Sequence, residues 1–128
     1  MIVLDASVLV AYLDGADAHH RRAEALLARE IDDDFAVNSL TLAEVLVVPA
    51  RESRMDDVRA ALDELDVQEL PFPDDTAVKL ARIRAETALK MPDCCVLLAA
   101  DAMTARLASF DDGLRKAAAA RGVEVIEG

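Results

Sequence analysis

The chain has 128 residues, 54% hydrophobic and 30% charged, a length and balance that suit one domain (residues 1–128) and exclude a disordered tail. Asp and Glu number 25 against 14 Lys and Arg, a formal net charge of −11 that argues against non-specific coating of nucleic acid, which needs cations to neutralise phosphates. Cys94 and Cys95 are adjacent and would close almost no loop, the first residues lack the basic start of a signal peptide, and no apolar run approaches a membrane helix, so a cytoplasmic, membrane-free protein is expected.

Residues 2–4 predict a short buried strand that stops at Asp5, after which Ser7 is expected to cap a helix over 8–13. Asp14-Gly15 ends it. Ala23, Leu26 and Leu27 give residues 17–30 the spacing of a one-sided helix. A turn at Asp32-Asp33-Asp34 leads to a strand over 35–37 and a strongly apolar helix over 40–48 with a single charge, Glu44. Beyond Pro49, Val58, Ala61, Leu62 and Leu65 mark a helix over 55–65, followed by a strand over 67–70 and a helix over 74–87. Pro92 opens an apolar helix to about residue 104. A strand over 106–110, a helix over 111–121 ended by Gly122, and a last strand over 123–126 complete the chain. Short strands alternating with helices predict a three-layer α/β/α arrangement around a mostly parallel sheet.

Most of the acids belong to ordinary solvated faces and turns. Four lie where such folds build sites, past strand ends or at helix starts. Asp5 closes the first strand, and a helix-capping role would explain it structurally. Glu44 has Leu40, Thr41, Val47 and Val48 three and four residues away, so its side chain is expected on a largely buried face, where a carboxylate needs a partner or a cation. Asp93 begins the apolar helix, where the helix dipole alone accounts for it. Asp111 stands at a strand end, and Asp112 beside it competes for the same role. Carboxylates gathered at neighbouring strand ends cannot all stay ionised unless a divalent cation holds them, and oxygen donors select Mg²⁺ or Mn²⁺. Such a cluster serves phosphodiester hydrolysis without a Ser, Cys or His nucleophile.

Asp5-Ala6-Ser7, Glu44 within Leu42-Ala43-Glu44-Val45-Leu46, Met91-Pro92-Asp93 and Ser109-Phe110-Asp111 together resemble the ordered acidic motifs of PIN-domain ribonucleases, and the short chain resembles the VapC-type toxins among them. The resemblance implies a Mg²⁺- or Mn²⁺-dependent endoribonuclease acting on structured RNA such as tRNA or rRNA. Its metal-binding acids would be Asp5, Glu44, Asp93 and Asp111, with Ser7 as the supporting hydroxyl. It also implies a homodimer and a cognate VapB-type antitoxin with a basic inhibitory segment. The last motif departs from the family's Thr-x-Asp-x-x-Phe, so Asp112 could share or replace the role of Asp111. Cys94-Cys95 follow the third acid where small residues are usual, and are expected as buried helix thiols.

Other features carry less. His19-His20 are adjacent on a helix with no third ligand nearby and are expected at the solvated surface. Four glycines form neither a dinucleotide fingerprint nor a phosphate loop. Tyr12, Phe35, Phe72 and Phe110 are too few for a base-stacking platform. Arg21, Arg22, Arg51, Arg54 and Lys90 are candidate phosphate contacts with no sequence signal that they converge. The competing readings are a catalytically weak PIN-like module that only binds RNA or protein, and a phosphatase or receiver-type pocket. The latter is disfavoured because Lys79, Lys90 and Lys116 do not follow strand ends.

Overall fold

The computed structural model describes residues 1–126. Four parallel strands, β1 (Ile2–Leu4), β2 (Phe35–Asn38), β3 (Gln68–Leu70) and β4 (Arg106–Ala108), form one sheet in the order β3-β2-β1-β4. Helices α1 (Ala6–Leu13) and α2 (His20–Arg29) join β1 to β2, and α3 (Ser39–Arg51) and α4 (Met55–Glu64) join β2 to β3. Helices α5 (Thr76–Glu86) and α6 (Met91–Met103) join β3 to β4, and α7 (Asp112–Ala120) follows β4. This is the expected three-layer α/β/α fold.

The pleat divides the core. Ile2 and Leu4 pack with Val8, Leu9, Leu26, Leu27, Phe35, Val45, Val58 and Leu62 on the face covered by α1–α4. Val3 and Leu107 point the other way, into Leu97, Leu114, Ala118 and Ile83 from α5–α7. Strands β1 and β2 are buried along their whole length, as strands of a doubly covered parallel sheet must be. Cys94 through Ala100 are seven consecutive buried residues, so α6 is enclosed by the sheet and its neighbours rather than amphipathic. Both thiols lie inside that helix, and burial pushes each above its ordinary pKa. No helix among the described residues is long and apolar enough to cross a membrane.

Several boundaries differ from expectation. The cap of α1 is Asp5, and Ser7 lies within the first turn. Helix α2 begins at His20, because Asp14 and Asp17 turn their carboxylates onto the backbone amides of Ala16 and His19 and hold residues 14–19 as a tight connection. Helix α3 continues through Pro49 to Arg51, its last turn extending one residue pair beyond the proline. Strand β4 stops at Ala108, since Ser109 and Phe110 give their hydrogen bonds to the site described below. The segment 123–126 makes only one bridge, Leu107 to Val125, with Leu107 N–H donating to the Glu124 carbonyl and Ile126 N–H to the Leu107 carbonyl. It is too short to count as a strand.

Candidate functional site

At the carboxyl ends of β1 and β4 the chain builds a small polar cage around Asp5, which is 6% exposed. The Ser7 and Ser109 hydroxyls each donate to Asp5 Oδ2 at 2.7 Å, and the two hydroxyl oxygens are 3.4 Å apart. Phe110 N–H donates to Ser7 Oγ at 3.0 Å, and Asp111 N–H to Ser109 Oγ at 3.0 Å. Asp5 N–H also donates to the Ala108 carbonyl, so β1 and β4 are fastened at their ends by backbone and side chain together. All the donors fall on one oxygen of Asp5, leaving Oδ1 without a hydrogen bond among the described residues.

Why the sequence folds this way is local. Asp5 has an extended backbone at the start of α1, and Ser7 two residues on turns back to it. Asp111 is likewise the extended cap of α7, with Oδ2 accepting Leu114 N–H at 3.3 Å. A carboxylate at a helix start both accepts an exposed amide and sits at the positive end of the dipole.

The other acids reach this edge from the opposite side. Asp93, half-buried in the first turn of α6, is raised above the ordinary Asp pKa, first by burial and then by the negative charges of Asp5, Asp111 and Glu44, with Lys90 acting in the opposite sense. Acids from four remote segments thus act on one another. Glu44 departs from expectation: it is exposed. The buried stripe of α3 is Thr41, Val45 and Pro49, and Glu44 lies beside it with exposed Val47 and Val48, on the wall of a cleft of about 580 Å³ that also includes Val10, Leu13 and Val48. Asp111, not Asp112, is the acid of the last motif whose charge bears on Asp93; Asp112 occupies the first turn of α7. As the side chains lie, no three of the described His, Cys, Asp and Glu residues are grouped closely enough to hold a metal ion. The donors suit a hard cation in chemistry and charge, being carboxylate oxygens, without forming a preassembled cage.

The sequence reading missed Ser109, whose Ser-x-Asp spacing at a strand end is the signal for a hydroxyl that caps the following amide. It also missed Arg115, and it offered Arg22 without a signal of where it lies. Arg115 Nη1 donates to the Ser109 carbonyl at 3.2 Å, and Arg22 lies over Phe110. The histidines are not simply solvated. His20 donates Nδ1–H to the Ala11 carbonyl at 2.8 Å and faces Glu24 at 3.2 Å, while exposed His19 packs its ring against Phe110.

A PIN domain family profile matches residues 2–120. Among curated protein sequences none matches. Among solved structures, FitAcB from Neisseria gonorrhoeae is similar, with 23% identity over 99% of this chain and 97% of its own, and a TM-score of 0.74. VapC20 of Mycobacterium tuberculosis, described as a sarcin-ricin loop cleaving toxin, is 18% identical over 91% of this chain and 95% of its own, also with a TM-score of 0.74. A toxin–antitoxin complex from Klebsiella pneumoniae is 23% identical over 87% of each chain, with a TM-score of 0.72. At these identities the likeness is one of fold.

Proposed function

The chain belongs to the PIN domain family, and from that premise we propose that it is a divalent-metal-dependent endoribonuclease, the toxin of a toxin–antitoxin pair, cutting a structured RNA such as tRNA or rRNA. The observation that carries this reading is the junction of the first and last acidic motifs, in which the Asp5 carboxylate is fixed both by its neighbour Ser7 and by Ser109, which is remote in sequence. Asp5, Glu44, Asp93 and Asp111 would hold Mg²⁺ or Mn²⁺. A divalent ion bound by them supplies an acidified water and positive charge to offset the leaving oxygen.

The chain's own residues do the rest. Ser7 and Ser109 direct their protons at Oδ2, so Asp5 keeps one fixed orientation, with Oδ1 available. Asp93 carries a raised proton affinity, so it accepts a cation in place of a proton with relief of repulsion from Asp5 and Asp111. Asp111 shares its carboxylate with the start of α7, which ties the fourth acid to a rigid element. The partner that blocks this acidic edge would be a basic antitoxin of the VapB type, and the working form a cytoplasmic homodimer. The toxin–antitoxin complex among the structural relatives supports the first of these.

The test is cleavage of purified tRNA and rRNA with Mg²⁺ or Mn²⁺ by wild-type protein, Asp5→Asn and Glu44→Gln. Groups whose bound metal is worth several kcal/mol in the transition state should cost about 10²-fold or more in rate when neutralised, with the circular dichroism spectrum unchanged. Cleavage that survives EDTA, or variants as fast as wild type, would overturn the proposal. RNA binding without any cleavage would instead establish a binding module.

A further inference from the structure

Helix α5 buries less than any other described helix. Of its 11 residues only Ile83 is buried, and it packs chiefly on α6. An isolated helix shorter than about 12–15 residues is marginal in water, so α5 depends on what it packs against. Its side turned away from Ile83 is apolar. Ala77, Ala81 and Ala85 recur every fourth residue, Val78 lies among them at 51% exposure, and all four face solvent. Small side chains along one stripe let a second helix approach closely. Just before α5, the 71–73 connection walls an apolar hollow of about 230 Å³ with Leu98 and Met103, where Phe72 and Met103 are also exposed.

The charge of this face sets it apart from the rest of the surface. Between Asp74 and Glu86, the cations Lys79, Arg82 and Arg84 offset the acids Asp74, Asp75 and Glu86 one for one, so the segment is neutral in a chain of net charge −11. Glu86 is held by Arg121 at 2.6 Å, and the same arginine reaches Asp101 at 3.5 Å. At helical spacing Arg82 and Arg84 flank the apolar stripe on opposite sides, both exposed and without an ion pair among the described residues. Asp74 and Asp75 precede the helix, and the two arginines fall in its second half.

We propose that the outward face of α5 is where a second copy of this chain docks, its own α5 crossing antiparallel about a two-fold axis near Val78 and Ala81. The inference rests on the homodimer reading and names the face that closes the pair. An isologous contact sets one surface against itself, so that surface must carry both signs, placed to exchange. Antiparallel α5 helices achieve this: Arg84 of each copy is set toward Asp74 and Asp75 of the other, with the alanines and Val78 meeting between them. The remainder of the chain carries the whole negative excess and repels its like. A neutral face also gives little hold to RNA, which requires net cations, or to a basic antitoxin, which is drawn to acid.

Sedimentation velocity of the full chain over a concentration series reads the dissociation constant of the pair, with circular dichroism reporting the fold. Ala81→Arg puts a good helix former at an exposed position, so the spectrum should be unchanged while the dissociation constant rises about a hundredfold or more. Arg84→Glu and Asp74→Arg should each raise it roughly tenfold, and the double variant should return to within about threefold of wild type. In one chain those two positions lie about 15 Å apart at helical rise, too far to pair, so rescue reports contact between copies. Val48→Arg, at another exposed apolar face, should change nothing. A dimer that persists in Ala81→Arg, a double variant no tighter than Arg84→Glu, or dissociation by Val48→Arg alone overturns the inference and leaves the homodimer reading standing. A wild-type chain that stays monomeric at every concentration sinks both.

Discussion

Ser109 shows how much a single buried hydroxyl can organise. It donates to Asp5, accepts from Asp111 N–H, and its carbonyl accepts from Arg115. Ser109→Ala leaves the part-buried Asp111 amide without its acceptor and Asp5 Oδ2 with one donor instead of two, so a loss of about 1–3 kcal/mol in urea unfolding is expected, with the RNA-cleavage rate falling as Asp5 loses its orientation. Asp93 makes the opposite point. Its folded-state pKa is raised by burial and then by Asp5 and Asp111, so the folded state disfavours its charge. The penalty is absent below the unfolded-state Asp pKa of about 3.9 and present in full above the raised folded value. Asp93→Asn should therefore raise the melting temperature of metal-free protein at pH 7, and the gain should vanish as the pH approaches 3. A variant that melts at the wild-type temperature at pH 7 would mean that the acids do not repel one another there.

Among the elements, α3 is positioned by its cap. Asn38 Oδ1 accepts Thr41 N–H at 2.9 Å while its Nδ2 donates to Thr41 Oγ1 at 2.9 Å, and both residues are buried. Replacing Asn38 by Ala removes the cap and strands two buried polar atoms, a cost of about 2 kcal/mol that chemical denaturation would read directly. Much of this layer was legible in the sequence. Apolar spacing in residues 17–30 and 55–65 marked α2 and α4, and the alternation of strands and helices gave the sheet its parallel character. What stayed hidden depended on contacts between remote segments. Periodicity assigned Glu44 to the buried face because valines surround it, yet Val47 and Val48 are exposed beside it, and only the packing of α3 against α1 and the sheet chooses which stripe goes inside. The same holds for residues 123–126, whose strand-like composition finds a single bridge on β4. The acids of the candidate site were singled out by their positions at strand ends, at a helix start and among apolar neighbours, and Ser7 by its place after Asp5; Ser109 was not, because its role lies in a partner 104 residues away.

For the whole molecule the dominant electrostatic fact is the excess of 11 negative charges. Self-repulsion of that size is screened by salt over about 10 Å at 0.1 M, so the melting temperature should climb with NaCl. Mg²⁺ at matched ionic strength should raise it further if the acidic edge binds the ion, through a stabilisation of about 2.7 kcal/mol at a hundredfold excess over the dissociation constant. Asp5→Asn should abolish that extra increment, and calorimetry with and without EDTA decides it. Equal stabilisation by Na⁺ and Mg²⁺ would argue for screening alone. A basic antitoxin should in turn bind more weakly as salt rises.

The Asp5–Ser109 bond has a temporal meaning as well. It unites residues 104 positions apart, the first residue after β1 with the first after β4. A nascent polypeptide that has emerged only as far as α5 possesses Asp5, Ser7 and Glu44 but neither Asp93 nor the serine that orients its first carboxylate. Such contacts form last, after the loop-closure entropy of the intervening chain has been overcome. An incomplete chain therefore lacks the assembled edge, and on the nuclease reading RNA cleavage is expected only from chains that extend past Ser109.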